Sequence, residues 1–157
     1  MLVLMTGDEQ IVDSTVAASR ALLGVVARSM APALEEVTVP QFRVLVLLDT
    51  HGPQRSGTLA EQVGVHQSTF TRMVDRLVAG GWVTRGDSPH SRREVLVSLT
   101  EAGRRLVDTV TARRREEIRR ILAALPAADR RRIAEAMGRF TAAAGEPATD
   151  DLLVLGM

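Results

Sequence analysis

The arginines of one short segment are the residues best placed to do chemistry. Arg72 and Arg76 stand one helical turn apart in the run Gln67-Ser68-Thr69-Phe70-Thr71-Arg72-Met73-Val74-Asp75-Arg76-Leu77. On a helical wheel Phe70, Met73, Val74 and Leu77 share one face, which leaves Ser68, Thr69, Arg72, Asp75 and Arg76 on the other. That outer face joins fork-shaped cations to short polar side chains. Such groups hydrogen-bond bidentately to the paired acceptors of a guanine edge, or bind phosphate through charge-assisted bonds. A second pair, Arg92 and Arg93, lies in the turn-forming run Gly86-Asp87-Ser88-Pro89-His90-Ser91-Arg92-Arg93. A blander arrangement competes, an i,i+3 ion pair of Arg72 with Asp75 on a solvated helix face. Catalysis has less support. His51, His66 and His90 sit in separate turn regions, in no recognisable nucleophile or acid–base motif. Isolated turn histidines are more often solvated than metal ligands, so neither a metal nor a cofactor is expected.

The elements around these arginines decide what they serve. Leu59, Val63 and Val65 precede the arginine helix, with Ala60 and Gly64 four apart. A small residue lets two helices approach closely, and glycine permits a sharp turn between them. Thr58 is the expected N-cap of the first helix, with Glu61 closing a capping box. The second helix is expected to open at Gln67, Ser68 or Thr69 and to run to about Ala79, where Gly80-Gly81 stops it. Beyond, the period changes. Val83, then Val95, Val97 and Leu99, alternate with polar residues as two short strands around the arginine loop. A helix-turn-helix followed by such a hairpin is a winged helix, here residues 40–100, and that module usually binds DNA. The half of the helix that enters a major groove carries Gln67, Ser68, Thr69 and Arg72, and Arg72 is the expected guanine reader.

The flanks are helical. From Asp8 to Glu36, Ile11, Val12, Ala18, Leu22, Leu23, Val25, Val26 and Met30 recur near helical spacing, with an end or kink expected near Pro32. Val39-Pro40-Gln41 starts a helix that Phe42, Val44, Leu45, Leu47 and Leu48 make apolar almost all round, so it should be buried. Thr100 opens a helix to about Leu125, with Leu106, Val107, Val110, Ile118, Ile121 and Leu122 on a stripe interrupted around Arg113-Arg114-Arg115. Pro126 breaks it, and residues 127–144 form a last helix. The arginines of residues 119–120 and 130–132 are expected to be solvated and paired to Glu116, Glu117, Asp129 and Glu135. Three long helices exceed what a small winged helix needs. Residues 8–36 and 100–145 are therefore expected to form a two-fold dimer, with two recognition helices one turn of DNA apart on a near-palindromic site. The apolar tail Asp151-Leu152-Leu153-Val154-Leu155 suits cover by a partner subunit.

Composition agrees with one mainly α domain over residues 1–157. Hydrophobic residues make up 45% and charged residues 25%, and the net charge is only +1. All 20 basic residues are arginine, a bias that genome composition explains at least as well as phosphate chemistry, so position matters more than total charge. The absence of cysteine removes disulfide and thiol chemistry and fits a cytoplasmic protein. Residues 2–5 are too short for a signal segment, and no run of membrane-spanning length is expected.

Three stretches together resemble the MarR family of bacterial transcription regulators: Phe70-Thr71-Arg72-Met73-Val74-Asp75-Arg76-Leu77, Gly81-Trp82-Val83-Thr84-Arg85, and Val95-Leu96-Val97-Ser98-Leu99-Thr100-Glu101-Ala102-Gly103. The likeness covers nearly the whole chain. It implies an obligate homodimer with intertwined first and last helices, bound to palindromic promoter DNA, and a repressor in particular. It also implies minor-groove contact by the wing. The family wing commonly has Asp, any residue, Arg; here Ser91-Arg92-Arg93 stands there, so Arg93 matches the arginine, its usual carboxylate is missing, and Asp87 is the substitute across the loop. Many members release DNA when a small aromatic or anionic effector binds, and Thr71 and Arg85 match positions that contact such ligands. Phe42, Val46, His51 and Trp82 are expected to line that cleft. The rival function is a winged helix used for protein contact or for sequence-neutral DNA packaging, which a degenerate recognition face would favour.

Overall fold

The computed structural model describes residues 7–88 and 91–144, with the backbone alone described for 87, 88 and 91–94. Six helices surround a three-stranded sheet: α1 Gly7–Met30, α2 Val39–His51, α3 Ser56–Val63, α4 Gln67–Ala79, α5 Glu101–Ala123 and α6 Ala127–Ala143, with strands β1 Gln54–Arg55, β2 Val83–Ser88 and β3 Ser91–Leu99. The termini at residues 1–6 and 145–157, including the apolar tail, lie outside the described residues.

α1 ends at Met30, two residues before Pro32, and a single 3-10 turn at Ala33–Glu35 redirects the chain. Thr38 then caps α2. Its hydroxyl accepts from Gln41 N at 3.4 Å, and its own N–H donates to Gln41 Oε1 at 2.8 Å. This reciprocal box holds both donors at the helix mouth, while Pro40 in the first turn has no N–H to satisfy. Phe42, Val44, Leu45, Val46, Leu47 and Leu48 are all buried, so α2 is the central helix of the core. Around it close Leu59 and Ala60 of α3, Phe70, Val74 and Leu77 of α4, Val83 and Val97 of the sheet, and Val107 and Val110 of α5.

Two local expectations need correction. Arg55, not Thr58, is the N-cap of α3, and no side chain caps that helix. The reason is the strand β1, which pairs antiparallel with β3 (Gln54 opposite Val97, Arg55 opposite Leu96) and feeds the chain directly into α3. Thr58 is thereby the third residue of the helix. The same strand turns the expected two-stranded hairpin into a sheet of order β1-β3-β2. Gly64, at φ 73°, makes the left-handed turn between α3 and α4, a conformation glycine adopts without the Cβ penalty.

The arginine run on α5 does not simply interrupt its apolar stripe. Arg114 is buried against α1, with Nε donating to Ser29 Oγ at 3.3 Å. Its Nη2 is buried with no hydrogen-bond partner, and desolvation lowers the pKa of the guanidinium. Arg28 joins Glu117 of α5 at 3.2 Å on the same side. The expectation of no membrane-length run also needs correction. α1 is long and apolar enough to cross a membrane by length and composition alone, and little of it is buried. Its apolar surface is uncovered: Ile11, Val12, Leu22 and Leu23 are exposed, as are Ile121 of α5 and Met137 and Phe140 of α6.

Candidate nucleic-acid interface

α4 is amphipathic, and its apolar side fixes the orientation of its polar side. Phe70, Val74 and Leu77 are completely buried. A fully buried side chain of this size stabilises by about 1.5–3 kcal/mol, so these three set the rotation of the helix on the core. Gln67, Ser68, Thr69, Thr71, Arg72, Asp75 and Arg76 are consequently exposed. The helix starts at Gln67, and its N-cap is His66, whose Nδ1 accepts from Ser68 N at 3.4 Å and lies 3.0 Å from Ser68 Oγ. Sequence reasoning left His66 solvated. Its place immediately before a polar helix start is the signal that would have found the cap.

The competing ion pair of Arg72 with Asp75 is not formed. Asp75 is held by Arg85 of β2, Nη1 to Oδ1 at 2.6 Å, and Arg85 Nη2 also donates to the Thr71 carbonyl at 3.1 Å. This clamp ties the wing to α4 and neutralises the only carboxylate of that helix. Among the described residues the guanidinium groups of Arg72 and Arg76 make no ion pair. Both line a groove of about 180 Å³ with Thr38, Gln41, Thr69 and Met73.

Thr71 and Arg85 are brought together in a second groove of about 540 Å³, with Arg55, Ser56, Gly57, Thr58, Glu61, Gln67 and Val95 as its other walls. Its position differs from the expected cleft. Phe42 and Val46 are sealed in the core, and the groove opens between α3, α4 and the wing instead. The Thr71 hydroxyl donates to the Gln67 carbonyl at 2.9 Å within its own helix.

The wing leaves the core along its length. Val97 is buried, whereas Val95, two residues nearer the tip and on the same face, is 43% exposed. β2 and β3 pair from Val83 opposite Leu99 to Asp87 opposite Val95, then shift register between Asp87 and Ser88. Arg92 and Arg93 lie on β3 next to that shift; their side chains, like those of Asp87 and Ser91, lie outside the described residues, as does His90. Among the described residues no cluster of three or more His, Asp or Glu is placed to hold a metal ion.

The base of the wing is fastened to the long helices. Thr100 caps α5 by accepting from Gly103 N at 3.1 Å, and its hydroxyl reaches the Gly81 carbonyl at 2.7 Å. Gly103 packs so closely that a Cβ there would collide with the Trp82 carbonyl oxygen and lie 2.6 Å from Leu99 Cδ1. Arg104 bridges to Asp49 of α2 at 2.7 Å. Burial raises the Asp49 pKa, a rise that Arg104 opposes and Asp108 reinforces.

Comparison with known proteins agrees with this architecture. Residues 37–95 match the MarR family. The fold superposes on a crystal structure of RV1404 from Mycobacterium tuberculosis with a TM-score of 0.84 and 42% identity, covering 93% of this chain and 100% of that one. The chain is 38% identical over 71 residues to the HTH-type transcriptional regulator YfiV of Bacillus subtilis, covering 45% of this chain and 44% of that protein. It is also 38% identical over 68 residues to the multiple antibiotic resistance protein MarR of Escherichia coli, covering 43% of this chain and 47% of that protein. These matches thus span about half the length of the curated relatives. With residues 37–95 matching the family and the whole fold in common with RV1404, the chain belongs to the MarR family of HTH-type transcription regulators.

Proposed function

We propose that the protein is a homodimeric, DNA-binding transcription regulator, in particular a repressor acting in the cytoplasm on a near-palindromic promoter site. The observation that carries this is the outer face of α4, which presents Gln67, Ser68, Thr69, Arg72 and Arg76 with no free carboxylate among them, because Arg85 occupies Asp75. A helix of this polarity, buried on its other side and followed by a protruding wing, suits insertion into a major groove with the wing, carrying Arg92 and Arg93, over the neighbouring minor groove. The exposed apolar side chains of α1, α5 and α6 support the second copy, since residues such as Leu23 and Phe140 leave water when a partner covers them. Two copies related by a two-fold axis would set their α4 helices about 34–36 Å apart, one turn of duplex. Footprinting on duplexes recovered by in vitro selection tests the reading. A regulator protects a short two-fold site; protection of all DNA would indicate packaging, and protection of none would indicate a protein-contact module.

The groove shared by Thr71 and Arg85 supports control by a small aromatic or anionic effector. A carboxylate arriving there competes with Asp75 for the Arg85 guanidinium and so loosens the clamp between wing and α4. Such an effector shifts DNA binding only by its differential affinity for the two states. Salicylate titrated against the duplex complex at fixed salt is expected to weaken binding, and Arg85→Ala, which opens the clamp and frees Asp75 permanently, is expected to bind duplex weakly from the start and to show no further loss with salicylate. An equal response in the variant would refute the assignment.

A further inference from the structure

The smaller groove, beside the N-terminus of α2, adds to the arginines of α4 a donor that the reading above leaves unused. Gln41 is 8% exposed and lines the groove. Its Oε1 accepts from the Thr38 N–H at 2.8 Å and from the Thr38 hydroxyl at 3.0 Å, which fixes the orientation of the amide. Nε2 is therefore the end left for the groove, and among the described residues it has no acceptor. That nitrogen is open to solvent at the groove, so a ligand oxygen can reach it without breaking a hydrogen bond within the protein. Across the groove stand Arg72 and Arg76 and the hydroxyl of Thr69, and no carboxylate lines it. The positive end of the α2 dipole faces the same space. Only Met73 is apolar there, and no aromatic wall is present, so the groove suits a compact oxyanion rather than a flat aromatic anion.

We propose that this groove seats a DNA backbone phosphate: Gln41 Nε2, Arg72 and Arg76 clamp the sugar–phosphate chain, and α2 docks against the backbone beside the major groove. The inference rests on the DNA-binding reading and changes the role of Arg72. A guanidinium drawn to the α2 side of α4 fixes register on the duplex, and base reading passes to Gln67 and Ser68 nearer the helix start. Phosphate contacts of this kind position a protein without carrying sequence information.

Gln41→Glu tests the groove without touching α4. Glutamate preserves the capping box, because its carboxylate still accepts from Thr38, but it removes the Nε2 donors and sets a negative charge against the anion. With the full chain and duplexes selected on the wild type, Q41E is expected to weaken binding by roughly tenfold or more for every sequence alike, with an unchanged melting temperature. Arg76→Gln, whose side chain is exposed, is expected to weaken binding uniformly and to lower the slope of log affinity against log salt by about one per groove. Neutral methylphosphonate linkages should reveal one backbone position per half-site whose substitution weakens the wild type and no longer weakens R76Q. Sequence-selective losses, or affinity in Q41E equal to wild type at every salt, overturn the groove while the DNA reading stands. Wild-type protein that binds no duplex overturns both. Inorganic phosphate replacing chloride at constant ionic strength separates the remaining source: a rise in melting temperature that Q41E abolishes, with duplex affinity unchanged, assigns the groove to a free anion and overturns the backbone site.

Discussion

The winged lobe and the helical frame solve the burial problem differently. In the lobe, α2 is enclosed from Val44 to Leu48, and its neighbours turn polar faces outward: Phe70, Val74 and Leu77 are buried on α4 while Arg72 and Arg76 are exposed. The frame has no such closure. α1 buries only Val25, Ser29 and Met30 near its C-terminal end, and α6 buries nothing. α5 joins the two regimes, with Gly103, Val107 and Val110 packed on the lobe and Ile121 exposed beyond. A lobe whose core closes on itself is a stable platform for a surface site. A frame whose apolar faces are open leaves them available to a partner, so the second copy belongs to the proposed function rather than to the lobe.

Variants can break this contrast. The largest effect is expected from Phe70→Ala, which opens a cavity in the closed core and should cost about 3–5 kcal/mol in urea-induced unfolding. It should do so whatever the protein concentration. Next comes Gly103→Ala at the junction. The added methyl has no room against Trp82 and Leu99, and overpacking of this kind costs about 1–3 kcal/mol; a wild-type unfolding curve for this variant would mean that the lobe and α5 are not rigidly joined. Leu23→Asp and Phe140→Asp sharpen the frame side. Both residues are exposed in the single chain, 67% and 57% respectively, so far-ultraviolet circular dichroism should be unchanged at high concentration while sedimentation shows loss of a dimer. Unaltered sedimentation in both would place the self-contact elsewhere.

The smallest effect concerns the strut between the regions. Asp49 has its pKa raised by burial above the ordinary 3.8, despite Arg104. A carboxyl whose folded pKa is raised binds its proton more tightly in the native state. Its contribution is therefore full below pH 3.8 and declines as pH rises through the folded value. Asp49→Asn lacks this term, so the stability of the variant relative to wild type should improve as pH rises from that range toward neutrality. A gap that moves the other way would show that the Arg104 bridge outweighs desolvation.

The pattern of residues was sufficient for every element whose signal is local. Period-3.6 stripes placed α1, α2, α4, α5 and α6, Gly64 and Gly80 marked turns and stops, and the switch to period two marked the wing. Each depends on neighbours within a few positions, where spacing alone decides which side chains share a face. The fork-shaped cations of α4 were legible for the same reason. Contacts between distant segments were not. β1 is only two residues long and exists because β3 passes beside it; it moved the start of α3 to Ser56 and left Thr58 without a capping role. Asp75 chose Arg85, ten residues away on another element, over Arg72 on its own helix, since the packing of α4 on β2 brings that guanidinium within bonding distance. Arg114 reads as one of three like residues that interrupt an apolar stripe, and only the approach of α1 buries it on Ser29. Gln41 reads only as part of the helix start Val39-Pro40-Gln41, and it lines a groove with Arg72 and Arg76 because α4 packs across the start of α2. Local periodicity thus determined the helices and the face that each offers, whereas ion-pair partners, buried charges and grooves were decided by how those faces meet in space.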